Sequence, residues 1–97
     1  MRTLMRIQMD TAKANDAIKN GTLQKTVESA LEALRPEAAY FTAQDGCRTA
    51  FIVFDMTDSS AMPKFSEPFF RELGAKISYT PVMDRDDLRK GLSALDG

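Results

Sequence analysis

The segment Arg2–Asp10, "RTLMRIQMD", alternates: Thr3, Met5, Ile7 and Met9 share one side, and Leu4, Arg6 and Gln8 share the other. A period of two is the signature of a strand, here with one apolar face and one mixed face. The next segment changes period. Leu23, Val27, Ala30, Leu31 and Leu34 form a helical stripe, but Ile18 lies about half a turn out of phase on a 3.6-residue repeat. Asn20-Gly21 stands between the two phases, so the pattern predicts a short helical piece opened by Asp10 or Thr11, a break, and a main helix capped by Thr22. Arg35-Pro36 stops that helix, because proline lacks an amide donor and pushes its predecessor out of the α region.

Two further alternating runs, "AAYFTAQ" and "CRTAFIVFD", flank Asp45-Gly46, a strong two-residue hairpin signal. The turn pairs Gln44 with Cys47, Thr42 with Thr49, Tyr40 with Phe51 and Ala38 with Val53, all on one face. The opposite face carries Ala39, Phe41, Ala43, Ala50, Ile52 and Phe54, where alanines let a helix approach. "TDSSAMPKFSEPFFRELGA" reads as a second helical region with Asp58, Ser59 and Ser60 as cap candidates and Gly74 as its stop. Pro63 and Pro68 leave two starts open, a bent helix from Pro63 or a turn followed by a helix from Pro68. "KISYTPVM" is the last strand, placed at an edge by Pro81. A final helix is capped by Asp84, with Leu88, Leu92 and Leu95 as its stripe.

The order β-α-β-β-α-β-α predicts one α+β domain over residues 1–97, a split β-α-β arrangement whose four-stranded antiparallel sheet has the first and third strands central, with an extra C-terminal helix. Helices then cover one face. The other carries Leu4, Arg6, Gln8, Tyr40, Thr42, Thr49, Phe51 and Val53, with Tyr79 assigned to the same side, and is too apolar to stand in water as one patch.

Composition narrows the chemistry. With 97 residues the core is modest, so burial against a partner helps. Thirteen Lys and Arg balance fourteen Asp and Glu without forming a basic stripe, which removes the footprint of nucleic-acid or anionic-membrane binding. The N-terminal segment has neither an apolar signal core nor a membrane span, and Cys47 is a lone cysteine, which together lead to the expectation of a cytoplasmic protein. Histidine is absent, which excludes Ser-His-Asp and Cys-His catalysis and most zinc and iron sites; no metal and no cofactor are expected.

"RPEAAYFTAQDGCRTAFIVFDM", "EPFF", "TPVM" and "DLRKGL" together resemble a set of small bacterial proteins of undetermined function within the ferredoxin-like dimeric α+β barrel superfamily. That resemblance implies a homodimer in which two sheets meet face to face around a pocket. Its members include cofactor-free monooxygenases, isomerases, haem-handling enzymes, stress proteins and ligand-binding domains, so fold alone assigns no reaction.

Arg6 and Gln8 are the leading candidates for holding a carboxylate, enolate or carbonyl oxygen, Arg through a charge-assisted fork and Gln through its amide. Otherwise Arg6 pairs with a carboxylate or reaches solvent. Tyr40, Thr42, Thr49, Phe51 and Tyr79 complete the expected lining, although tyrosine on such a face also serves dimer packing. Asp10 and Asp55 end the two central strands and are either a carboxylate pair or two helix caps. Phe65, Phe69 and Phe70 contribute at least one core aromatic. Three functions follow: a pocket for a small, partly apolar metabolite, a cofactor-free active site with Arg6 facing an oxyanion, or a purely structural assembly.

Overall fold

The computed structural model describes residues 1–96. Its elements are β1 (Arg2–Gln8), α1 (Thr11–Lys19), α2 (Thr22–Leu34), β2 (Ala38–Gln44), β3 (Cys47–Asp55), a 3-10 turn (Ser59–Ala61), α3 (Met62–Leu73), β4 (Lys76–Pro81) and α4 (Arg85–Ser93). The strands form one open sheet in the order β2-β3-β1-β4, antiparallel throughout, so the first and third strands are central. The fold is α+β, with four α-helices in the order β-α-α-β-β-α-β-α.

The helical region after β1 is indeed broken. Asp10 caps α1 by accepting the Lys13 amide at 3.0 Å, and α1 ends at Asn20. Thr22 does not cap α2: the cap position is Gly21, at φ 79°, and the Asn20 side-chain oxygen accepts the Thr22 amide at 3.0 Å instead. Glycine serves because a left-handed residue is needed to turn the chain between the two helices. At the other break, α3 starts at Met62 with Pro63 in its first turn and runs through Pro68. Pro68 takes the helical donor from the carbonyl of Lys64, an exposed residue where water can replace it.

The core lies between the sheet and α1–α3. Met5 and Ile7 of β1 and Ala50, Ile52 and Phe54 of β3 are buried against Ala14 and Ala17 of α1, Leu34 of α2 and Phe69 and Leu73 of α3. Alanines on both layers permit a short helix–sheet distance, and the Phe54 ring meets Phe65 edge-on at 5.6 Å. Phe69 is core, Phe65 packs against it, and Phe70 is exposed. Asp45 at φ 55° and Gly46 at φ 76° form the hairpin turn, and the β2–β3 register is the one the turn residues predict, Tyr40 opposite Phe51 and Thr42 opposite Thr49.

α4 stands off this body. Every residue from Met83 to Leu95 is exposed, including Leu88 and Leu92 of α4 and Leu95 of the 3-10 turn (Ala94–Asp96) that follows it. The chain measures 56 × 27 × 17 Å with a radius of gyration of 15.5 Å, against about 12–13 Å for a compact chain of this length. The helix is nevertheless well begun: Asp84 and Asp87 form a reciprocal capping box, and Arg2 reaches Asp87 at 2.7 Å and Asp84 at 3.3 Å.

Candidate functional site

The face of the sheet opposite α1–α3 is uncovered. On it the ladder places Tyr40, Phe51, Arg6 and Ser78 in one cross-strand row, Thr42, Thr49, Gln8 and Lys76 in the next, and Ala38, Val53, Leu4 and Thr80 on the other side. Tyr40 is 70% exposed, while Leu4, Arg6, Gln8, Phe51 and Val53 are half-buried. The rows thus mix apolar surface with polar ends, as the alternation in the sequence requires.

Arg6 and Gln8 converge on a residue that sequence reasoning did not single out as a site residue. Arg6 Nε donates to the Gln44 side-chain oxygen at 2.8 Å, and Gln8 Nε2 donates to the Gln44 backbone carbonyl at 3.0 Å. The Arg6 guanidinium also lies 3.7 Å from the Asp45 carboxylate. Both side chains therefore cross from β1 over β3 to the hairpin tip. Thr49 sits beneath them, 2% exposed, and its hydroxyl donates to the Cys47 carbonyl at 3.0 Å. It forms part of the floor and does not offer a free hydroxyl. Gln44 was legible as a member of the outward face through its pairing with Cys47, but its reach toward Arg6 depends on the β1–β3 register, which no local signal encodes.

Tyr79 is not on this face. It pairs with Met5, whose side chain is core, so the tyrosine ring points toward the helices. Its hydroxyl lies 2.6 Å from Ser66 Oγ and 3.4 Å from the Met62 carbonyl. Burial pushes the phenol above its ordinary pKa, opposed by the Ser66 hydrogen bond. Tyr79 is a structural tie between β4 and α3.

The Asp10–Asp55 pair is also ruled out. Because β1 and β3 are antiparallel, Asp55 lies beside Arg2 while Met9 bonds Arg48 at the opposite end, and the two carboxylates mark opposite ends of the sheet. Asp10 acts as a cap, and Asp58 caps the 3-10 turn by accepting the Ser60 amide at 2.8 Å. At the Asp55 end, Arg2 gathers Glu37, Asp84 and Asp87. The Glu37 hydrogen bond is the main cause of its raised pKa, and the cluster joins β1 to the starts of β2 and α4.

Clefts of the single chain run between α2 and α3, between α2 and β2, and around the Arg2 cluster. Arg6, Gln8, Tyr40 and Phe51 line none of these. Among the described residues no helix is long and apolar enough to cross a membrane. No match to a curated protein was found for the chain. Over residues 1–96 the sequence matches the domain of unknown function DUF3303, and the chain belongs to that family.

Proposed function

We propose that the protein is a homodimer in which two open sheet faces meet and enclose a pocket for a small, partly apolar metabolite bearing a polar oxygen. The strand order β2-β3-β1-β4 with β-α-β crossovers supports a ferredoxin-like dimeric barrel, from which the break at Asn20–Gly21 and the projecting α4 are departures. The observation that carries the reading is the uncovered face itself: Leu4, Tyr40, Phe51 and Val53 bring apolar area to a surface that α1–α3 leave open, and Arg6, Gln8 and Gln44 form a polar bridge at one end of it. A second copy removes the apolar area from water at about 25 cal/mol per Å². Beyond the Nε committed to Gln44 and the Nη2 that faces Asp45, Arg6 keeps further guanidinium N–H donors for the enclosed space, and these suit a carboxylate or carbonyl oxygen.

Binding is favoured over turnover. Tyr79, the tyrosine whose ionisation the fold perturbs, faces the helices, and Tyr40 is mostly in water in the single chain. A cofactor-free reaction at Arg6 therefore ranks second. The test is native mass spectrometry of protein purified without denaturation. A dimer carrying a small molecule supports the pocket, and an Arg6→Ala dimer that has lost the molecule assigns Arg6 to it. A monomer rejects the proposal.

A further inference from the structure

We propose that the free edge of β2 takes up an extended peptide segment of a partner protein as an added antiparallel strand, with alternate apolar side chains of that segment turned toward the groove between α2 and β2. This edge is separate from the open face, so uptake of a strand stands or falls independently of the homodimer.

The hairpin decides which backbone groups are free. Asp45 and Gly46 form a two-residue loop, so Gln44 and Cys47 exchange both backbone hydrogen bonds and the ladder alternates from there. Ala38, Tyr40, Thr42 and Gln44 direct their N–H and C=O groups to β3. Those of Ala39, Phe41 and Ala43 point out of the sheet. Among the described residues no strand lies beyond them, and the Ala43 carbonyl meets the Thr42 hydroxyl only at 3.5 Å. The other edge is built differently. β4 carries Lys76 at one end and Pro81 at the other, residue types that discourage strand addition. β2, "AAYFTAQ", has neither charge nor proline, and its register with β3 runs without a bulge from Ala38 to Gln44. An unguarded edge of this kind is a template for pairing.

The groove lies beside that edge. Leu23, Val27 and Leu31 of α2 are half-buried and, with Phe41, line an apolar space of about 540 Å³. Phe41 is 54% exposed and shares the helix side of the sheet with Ala39 and Ala43, whose small side chains leave room next to it. Residues directly opposite one another on antiparallel strands share a face. Partner residues opposite Ala39, Phe41 and Ala43 therefore turn toward the groove, and those between them turn away. Main-chain pairing then supplies affinity, and the groove selects apolar residues at alternate positions.

The test uses the full chain and a synthetic nonapeptide of alternating threonine and valine with a lysine at each end, followed by NMR. At saturating probe the Ala39, Phe41 and Ala43 amides are expected to exchange with solvent at least about tenfold more slowly. N-methylation of the valines, whose N–H groups face β2, is expected to weaken binding at least about tenfold, and N-methylation of the threonines between them is not. Ala43→Pro removes one outward donor while leaving the β2–β3 ladder, and Phe41→Ser removes one groove wall at an exposed position; each is expected to weaken the probe. No binding at millimolar probe, equal effects of the two methylation patterns, or protection confined to other amides overturns the added strand. Protection of the three amides in the protein alone, growing with its concentration, gives the edge to a second copy and rejects the peptide partner. Solution mass at low micromolar concentration reports on the facing sheets separately.

Discussion

Arg6 and Gln44 meet across the full width of β3, the Arg6 Nε donating to the Gln44 side-chain oxygen at 2.8 Å although one residue sits on a central strand and the other at the tip of an edge strand. The contact ties the hairpin tip to the middle of the sheet and sets where the Arg6 fork points. A double-mutant cycle of Arg6→Ala and Gln44→Ala in urea unfolding is expected to give a coupling of about 0.5–1 kcal/mol, the range for a solvent-accessible hydrogen bond. A coupling near zero contradicts the bridge.

Phe51 and Phe54 lie three residues apart on one strand and belong to different interfaces. Phe54 is 1% exposed against the helices, so Phe54→Ala is expected to cost about 3–5 kcal/mol at any protein concentration. Phe51 is half-buried on the open face. The loss from Phe51→Ala is expected to grow with protein concentration, because only the assembled form buries the ring fully. Thermal unfolding of both variants over a hundredfold concentration range distinguishes the two, and a concentration-independent Phe51→Ala contradicts the assignment.

Tyr79→Phe removes the hydroxyl that meets Ser66 at 2.6 Å. Its expected cost is about 1 kcal/mol, since Ser66 is buried and loses that partner. The solution mass is expected to stay unchanged, because the ring faces the helices. A variant that folds normally but no longer self-associates would return Tyr79 to the open face.

The carboxyl of Asp84 titrates below its ordinary value, first because it accepts the Asp87 backbone amide and further because of Arg2. The folded state therefore favours the charged form. Its contribution to the start of α4 is present above the unfolded Asp value of about 3.9 and is lost as pH falls through the lower folded value. Carbon-detected NMR of Asp84 is expected to show that lowered midpoint, moving part of the way back up in Arg2→Ala. A midpoint at or above the unfolded value contradicts the anchoring of the helix.

The strands and their faces were readable where the signal is local. Thr3, Met5 and Ile7 alternate inward on β1, and Asp45-Gly46 sets the whole β2–β3 register through one turn. The expectation that Tyr79 joins the open face fails because β4 pairs with a strand about seventy residues away, although Ile77 and Tyr79 alternating with Lys76, Ser78 and Thr80 carry the correct signal. Thr22 looked like a cap, but the left-handed turn at Gly21 took that position. At the candidate site, Arg6 and Gln8 were visible as polar residues on an apolar strand. Gln44 was not visible as their partner, since a side-chain bridge over an intervening strand follows from three-dimensional register and leaves no spacing in the sequence. The Arg2 cluster escaped for the same reason, its acids lying 35 and more residues away.

Sedimentation equilibrium of the full chain at low micromolar concentration decides whether a second copy covers the face bearing Tyr40, Phe51 and Arg6. The expected mass is twice the 10.8 kDa of one chain, falling to the single-chain value in Phe51→Asp while the secondary structure persists. A wild-type chain that sediments at 10.8 kDa through the same range contradicts the facing sheets and the pocket between them.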